Sequence, residues 1–217
     1  MLSYTEENYL KALLKLTLEN ELSEAGTNEL AVLLAVKPAT VNDMLKKLKD
    51  KELVNYAKYG KITLTASGRV SALAVLRKHR LWETFLFEKL SFSWHEVHEV
   101  AEQLEHIQSE KLVSQLDEFL GFPKFDPHGE PIPDYKGNVE QFSSQSLSDA
   151  SVGSTCKMVA VKDNSGDFLQ YVDQVGLSIN CSFQVISRQQ YDDLMVIEVN
   201  GIQSVVSRKF AENILVI

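Results

Sequence analysis

Six side chains in the middle of this 217-residue chain have the types and spacing to bind a cation: His79, Glu83, His98, Glu102, Glu105 and His106. His79 and Glu83 stand four residues apart, so on a helix they share one face. At about 100° per residue, His98, Glu102, Glu105 and His106 fall on one strip roughly 100° wide of a following helix. A face that concentrates carboxylates and imidazoles with no interleaved Lys or Arg repels itself unless a cation neutralises it. Carboxylate oxygens and imidazole nitrogens suit borderline and hard divalent metals. Two other histidines are set aside. His95-Glu96-Val97-His98-Glu99 imitates the zinc-protease H-E-x-x-H, but its second histidine sits at i+3 where i+4 is needed. His128 lies in a proline-rich stretch and is expected to be solvent-exposed.

The elements that position these groups read as follows. A long helix from Ser67 to about Lys89 carries the first pair. A helix opened by the Ser93-x-x-Glu96 capping box runs through about Ile107 and carries the second set. A third, Ser109 to Leu120, ends at Gly121, and this block has enough apolar surface for a dimerisation core. Ahead of it, residues 6–18 show helical apolar spacing after Ser3 or Thr5 as caps. A short helix from Asn28 to Leu34 and a turn lead to Pro38, in the first turn of a helix that runs to about Lys51. That helix buries Val41, Met44 or Leu45, and Leu48, and shows Thr40, Asn42, Asp43, Lys46, Lys47 and Lys49. A hairpin follows, Leu53 to Tyr59 and Ile62 to Thr65, with Lys58 and Lys61 at its tip. Helix, tight turn, basic helix and basic hairpin make a winged helix-turn-helix for double-stranded DNA. Thr40 and Asn42 are expected to contact bases, Lys46, Lys47, Lys58 and Lys61 to contact phosphates, and Asp43 to pair with Lys46 or Lys47.

Residues 122–150 hold four of the five prolines and then a Gln/Ser-rich stretch, which reads as a linker. Beyond it, short strands near 158–161, 182–187, 194–199, 204–207 and 214–217 suggest a small β-barrel. The net charge of −8 seems to argue against a nucleic-acid partner. It hides a division: residues 1–80 carry 13 Lys+Arg against 9 Asp+Glu, residues 81–150 carry 4 against 14, and residues 151–217 carry 5 against 7. No run of about 18 apolar residues and no basic-then-apolar start occurs, so a soluble cytoplasmic protein with no membrane partner is expected. Cys156 and Cys181 form no C-x-x-C and read as apolar residues.

These residues resemble the diphtheria toxin repressor and manganese transport regulator family of metal-dependent transcription factors. The likeness rests on Thr5-Glu6-Glu7-Asn8-Tyr9-Leu10, Pro38-Ala39-Thr40-Val41, Leu64-Thr65-x-x-Gly68, Arg77-x-His79-x-x-x-Glu83, Val97-His98-Glu99-x-x-Glu102-x-x-Glu105-His106 and Pro127-His128-Gly129-x-Pro131-Ile132-Pro133. It implies a mainly α chain with small β parts. Residues 1–72 would be a winged helix-turn-helix DNA-binding domain and 73–125 a helical dimerisation and metal-binding domain. A Pro/Ser-rich linker would cover 126–150, and an SH3-like domain, similar to a ferrous-transport accessory protein, 151–217. By position, His79, Glu83 and His98 match an ancillary metal site, which Asp167 and Asn164 of the SH3-like domain would complete. Glu102, Glu105 and His106 match a primary, activating site to which helix one contributes at Asn8. Glu102 replaces the Cys of iron-type members, which favours Mn(II), with Fe(II) the alternative, at two sites per subunit. The implied function is a homodimeric, metal-activated repressor of metal-uptake genes, not an enzyme. Two other classes remain: a winged-helix regulator answering an organic ligand or protein partner, and a metallohydrolase, which would need an open coordination position and a substrate cleft.

Overall fold

The computed structural model describes residues 2–19, 24–56, 61–140, 143–189 and 191–217. The chain divides into two compact units. The first comprises Met1–His79, Leu104–Ser109 and Pro133–Asn138; the second comprises Arg80–Gln103, Glu110–Ile132 and Val139–Ile217. No helix of the described residues is long and apolar enough to cross a membrane.

In the first unit, helix α1 (Tyr4–Glu19) starts at a reciprocal cap: the Ser3 amide donates to Glu6 Oε2 at 2.9 Å and the Glu6 amide to Ser3 Oγ at 3.3 Å. Its buried stripe of Tyr9, Leu10, Leu13 and Leu14 belongs to a core with Leu30 of α2 (Thr27–Leu33) and Val41, Leu45 and Leu48 of α3 (Pro38–Asp50). Gly26 caps α2, its amide donating to Glu29 Oε2 at 2.8 Å. Ala35, at φ +51°, makes the tight turn, and Pro38 opens α3, where its missing N–H costs nothing. Strands β1 (Val54–Tyr56) and β2 (Ile62–Leu64) form the antiparallel wing, and an isolated bridge from Ala25 to Ile62 ties it to the segment before α2. The wing tip, including Lys58, lies outside the described residues.

Helix α4 (Ala66–Leu90) begins against the backbone just after α3. Thr65 Oγ1 accepts the Gly68 amide at 3.0 Å and donates to the Glu52 carbonyl at 2.8 Å. A Cβ on Gly68 would stand 1.9 Å from the Leu53 carbonyl oxygen, so the Thr-x-x-Gly spacing records a close helix–backbone approach that no side chain permits.

The second unit holds the rest of α4, helices α5 (Val97–Leu104) and α6 (Glu110–Phe119), and the C-terminal sheet. Strands β3 (Gln145–Ser146), β4 (Thr155–Val161), β5 (Ser182–Arg188), β6 (Met195–Val199), β7 (Ile202–Val206) and β8 (Ile214–Val216) pair antiparallel in the order β3-β8-β4-β5-β6-β7. The expected β segments are there, but two helices that strand periodicity does not show accompany them. Helix α7 (Gly166–Val175) buries Leu169, Val172 and Val175 and ends at Gly176 with φ +84°. Helix α8 (Arg208–Glu212) is capped by Ser207, whose Oγ accepts the Phe210 amide at 3.1 Å.

Two expectations need correction. Helix α5 starts at Val97 and ends at Leu104, so Glu105 and His106 stand in a turn and not on a continuing helical face. The last amide of that turn, Ile107 N, bonds the Leu104 carbonyl at 3.2 Å. The proline-rich stretch is also packed at its start: His128 is completely buried and Ile132 nearly so. Asp126 organises it, Oδ1 accepting the amides of His128 at 2.8 Å and Glu130 at 3.0 Å. The Val161 amide of β4 bonds the His128 carbonyl at 3.1 Å, and a Cβ on Gly129, at φ +82°, would stand 1.9 Å from the Val159 carbonyl oxygen.

Replacing either glycine should therefore force backbone apart. Gly68→Ala is expected to destabilise the protein by about 1–3 kcal/mol, and Gly129→Ala, which adds a positive φ, by at least as much. Urea unfolding checks this: midpoints unchanged from wild type would contradict the close approaches.

Candidate metal centres and nucleic-acid interface

The first buried cluster lies within the first unit. Helix α1 contributes Glu7 and, one turn on, Lys11; α4 contributes Lys78 and His79; the turn after α5 contributes Glu105 and His106. Glu105 is 0% exposed. Its Oε2 lies 2.6 Å from His79 Nδ1 and 2.7 Å from Lys11 Nζ. Glu7 Oε2 lies 2.6 Å from His106 Nδ1, and its Oε1 accepts from Gln108 Nε2 at 2.9 Å. The Tyr4 ring lies over the His106 ring with centroids 3.7 Å apart. Burial pushes the Lys78 amine down, against the pull of Glu7 and Glu105.

What remains after these contacts is informative. His106 Nε2 and Glu105 Oε1 lie 3.3 Å apart, both buried, and neither makes a hydrogen bond. Two buried lone pairs cannot stand so close without a proton or a cation to share. With Nδ1 held by Glu7, the imidazole has the carboxylate–histidine arrangement that orients metal ligands. These donors fit a divalent cation. The buried Asn8 Oδ1 also lacks a hydrogen-bond partner, but on α1 it is Glu7 whose carboxylate reaches His106. Sequence reasoning missed Glu7 and Lys11; their i, i+4 spacing on one face of α1 was the available signal.

The second cluster lies within the second unit. Glu83, 0% exposed, places Oε1 3.1 Å from His98 Nδ1 and Oε2 3.7 Å from His128 Nδ1. His98 Nε2 is 3.6 Å from Glu102 Oε1, the i, i+4 contact of α5. His128 Nε2 donates to the Trp94 carbonyl at 2.8 Å, which turns Nδ1 toward Glu83. Arg80 Nε lies 3.6 Å from Asp126 Oδ2, and its guanidinium reaches Glu130 at 3.0 Å. Ligand atoms of Glu83, Asp126 and His128 all lie within 4.8 Å of one another, a set compatible with a metal ion. The histidine discounted as solvent-exposed is thus the most enclosed imidazole of this cluster. The Pro-His-Gly motif carried that information, because the glycine forces the loop onto β4. Asp167, by contrast, is exposed in the first turn of α7 and enters no metal-compatible group among the described residues. Asn164, just before that helix, has a buried Oδ1 without a hydrogen bond.

On the recognition helix, Thr40, Lys46 and Lys47 are exposed. Asp43 pairs with Lys46 at 2.9 Å, as its position suggested. Asn42 Oδ1 accepts from the Tyr56 hydroxyl at 2.5 Å, which fixes its side chain from the wing. Lys49 Nζ donates to the Tyr56 carbonyl at 2.9 Å, and Lys61 pairs with Glu24.

Three family models together match most of the chain. Residues 1–62 match the model of the iron dependent repressor N-terminal DNA binding domain. Residues 65–134 match its metal binding and dimerisation domain, and residues 145–217 the FeoA domain. A solved structure of a manganese-dependent transcriptional repressor in complex with manganese is 33% identical, with a TM-score of 0.87 over 98% of this chain and 99% of that one. The iron-dependent repressor IdeR of Mycobacterium leprae is 33% identical over 133 residues, 59% of this chain and 55% of that protein. An uncharacterized HTH-type transcriptional regulator of Methanocaldococcus jannaschii is 37% identical over 119 residues, 55% of this chain and 94% of that protein. The aligned region thus spans about half the length of the curated iron-dependent repressors it matches.

The second cluster has a pH signature. Burial alone would depress the His128 imidazole, but Glu83, Asp126 and the Trp94 carbonyl outweigh it and push it up to about 9. Burial first, then Glu83 and Glu130, push the Asp126 carboxyl up to about 7 against the opposing Arg80 and His128. Both groups bind protons more tightly folded than unfolded, so the stability they contribute is lost as pH rises through those values. The metal-free protein is expected to show a falling melting temperature from about pH 6 to 9, and His128→Gln should flatten the alkaline part of the fall. A wild-type curve as flat as that of the variant would refute the assignment.

Proposed function

The chain belongs to the diphtheria toxin repressor and manganese transport regulator family of metal-dependent transcriptional repressors, and on that footing we propose that it represses metal-uptake genes as a Mn(II)-activated homodimer. The observation that carries the proposal is the pairing of α1 with the turn after α5 through Glu7, His106 and Glu105. A cation taken up between Glu105 Oε1 and His106 Nε2 would fix that turn against α1. Helix α1 also reaches the recognition helix: Lys51, directly after α3, lies 2.7 Å from Glu6 Oε1. Burial opposes the charge on Glu6, but Lys51 and the Ser3 amide prevail and hold its carboxyl below the usual range. Adjacent carboxylates on one helix turn thus face the metal cluster and the DNA-reading helix.

Activation then requires that metal bind the DNA-competent arrangement more tightly than the alternative, since equal affinity for both shifts nothing. Thr40 and Asn42 would meet base edges, while Lys46, Lys47, Lys58 and Lys61 would meet phosphates of a double-stranded operator. Engaging phosphate frees Lys46 from Asp43 and Lys61 from Glu24, so these contacts exchange one anion for another. A second cation would sit at Glu83 with Asp126, His128 and His98, making two sites per subunit. Every donor in both clusters is oxygen or imidazole nitrogen, and the cysteines are elsewhere: Cys156 in the C-terminal core and Cys181 beside it. That donor set favours Mn(II), with Fe(II) the nearest competitor. Leu90, Leu112, Phe119 and Phe122 are exposed apolar side chains of the second unit, which supports a face that a second copy covers.

DNA duplexes selected from a random pool with the Mn(II)-loaded protein provide the test. Mn(II) should tighten binding by at least roughly tenfold, within the range of ordinary coupling energies. EDTA and the Glu105→Ala/His106→Ala double variant should abolish the gain. Metal-free protein and double variant binding as tightly as loaded wild type would sink the mechanism. Anaerobic activation by Fe(II) at a much lower free concentration would overturn the choice of metal.

A further inference from the structure

The carboxylate at the centre of the first cluster already has a cation on it. Lys11 Nζ lies 2.7 Å from Glu105 Oε2, with 15% of the lysine side chain and none of the glutamate exposed. Lys11 follows Glu7 by one turn of α1, so the helix that presents an acid to His106 also presents an ammonium to Glu105. Its aliphatic stem is enclosed, which makes this a built contact and not a surface pairing. Lys78 faces the same two acids, its amine feeling both Glu7 and Glu105. The formal charges of Glu7 and Glu105 are therefore matched by Lys11 and Lys78 before any metal arrives.

We propose that Lys11 is a resident counter-ion of this centre, held on Glu105 Oε2 and driven off the carboxylate by the like charge of a divalent cation entering at Oε1, so that Lys11 sets the metal concentration at which the protein responds. The inference rests on the reading of Glu105 and His106 as metal ligands and deepens it. Glu105 is buried, and a lone buried carboxylate would be costly. The ammonium removes that cost in the metal-free state and keeps α1 near the turn. When a divalent ion takes Glu105, the ammonium would lie a few ångströms from a like charge in a poorly hydrated site. Its side chain is 15% exposed, so the ammonium swings out to water. The metal's net affinity is its intrinsic affinity reduced by the strength of the ammonium–carboxylate contact it replaces.

The test is Mn(II) binding by calorimetry on full-length wild type, Lys11→Met and Lys11→Arg, with Glu105→Ala/His106→Ala defining the heat that belongs to this centre. Lys11→Met is expected to bind Mn(II) roughly tenfold tighter or more, from removal of a nearby like charge. Its metal-free form should melt at lower temperature and gain more on loading, while Lys11→Arg stays near wild type. A purely structural lysine would lower the melting temperature without tightening the metal. Unchanged or weaker Mn(II) binding by Lys11→Met overturns the inference and leaves the metal centre standing. Wild type that takes up no more Mn(II) than the double variant overturns both. Should Lys11→Met not fold without metal, limited amine acylation of wild type, read by mass spectrometry, decides the matter. Labelling of Lys11 should rise on Mn(II) loading, and equal labelling with and without Mn(II) counts against displacement.

Discussion

A carboxylate with no access to water has to be compensated, and in this protein the compensation of Glu105 organises the first unit. Its two oxygens meet His79, Lys11 and His106, which come from a long helix, the first helix and the adjoining turn position. Residues 105–109 lie outside regular secondary structure, and charge-assisted contacts to Glu105 and Glu7 help hold them in place. The same acid explains why α5 stops at Leu104. Continuing the helix would keep Glu105 and His106 on a helical surface, whereas leaving it lets Glu105 bury its charge among three nitrogen-bearing side chains. Tertiary electrostatics overrides a helical periodicity that the residues themselves would support.

The features legible in the sequence were those with a local cause. Pro38 marks the start of the recognition helix because only a first-turn position tolerates it. The alternation of Val54-Asn55-Tyr56 and Ile62-Thr63-Leu64 marks the wing. The Thr65-x-x-Gly68 and Pro127-His128-Gly129 motifs were visible as patterns, but their reason was not: both glycines stand where a Cβ would collide with a distant carbonyl. Helix α7 went unread because Leu169, Val172 and Val175 form a narrow stripe in a region otherwise rich in β-formers. Of the candidate ligands, those read from the sequence were the His and Glu of α4, α5 and the turn after it, while Glu7 on α1 was passed over. Those whose relevance depends on loop closure, Asp126 and His128, were not read either, since a proline-rich segment with two prolines flanking an imidazole gives no periodic signal.

The wing and recognition helix show how modestly the DNA-facing charges are prepared. Asn42 is positioned by Tyr56, a contact that suits the base-reading role proposed for it. Lys46 and Lys61 are instead parked on Asp43 and Glu24, exposed pairs of small net value that phosphate can displace. On the proposed reading, the group that would discriminate sequence is held in place, and the groups that would supply salt-dependent affinity rest in exchangeable exposed pairs.

As proposed metal sites, both clusters share a property that would separate a sensor from a structural site. A structural site couples metal binding to folding, so the metal-free chain is unfolded and no signal can be transmitted by it. Here the acids already have protein cations near them: Lys11 and Lys78 in the first cluster, Arg80 and the raised imidazole of His128 in the second. Those partners would let the metal-free chain fold. They would also lower the affinity for metal, because a divalent ion has to share the same carboxylates with like charges. A regulator needs both consequences. Its two states must each be folded for one to give way to the other, and its threshold must lie where metal concentration varies, not far below it. The acidic middle of the chain, with 14 Asp+Glu against 4 Lys+Arg over residues 81–150, supplies the attraction. The few cations placed among those acids set how much metal is needed to satisfy it.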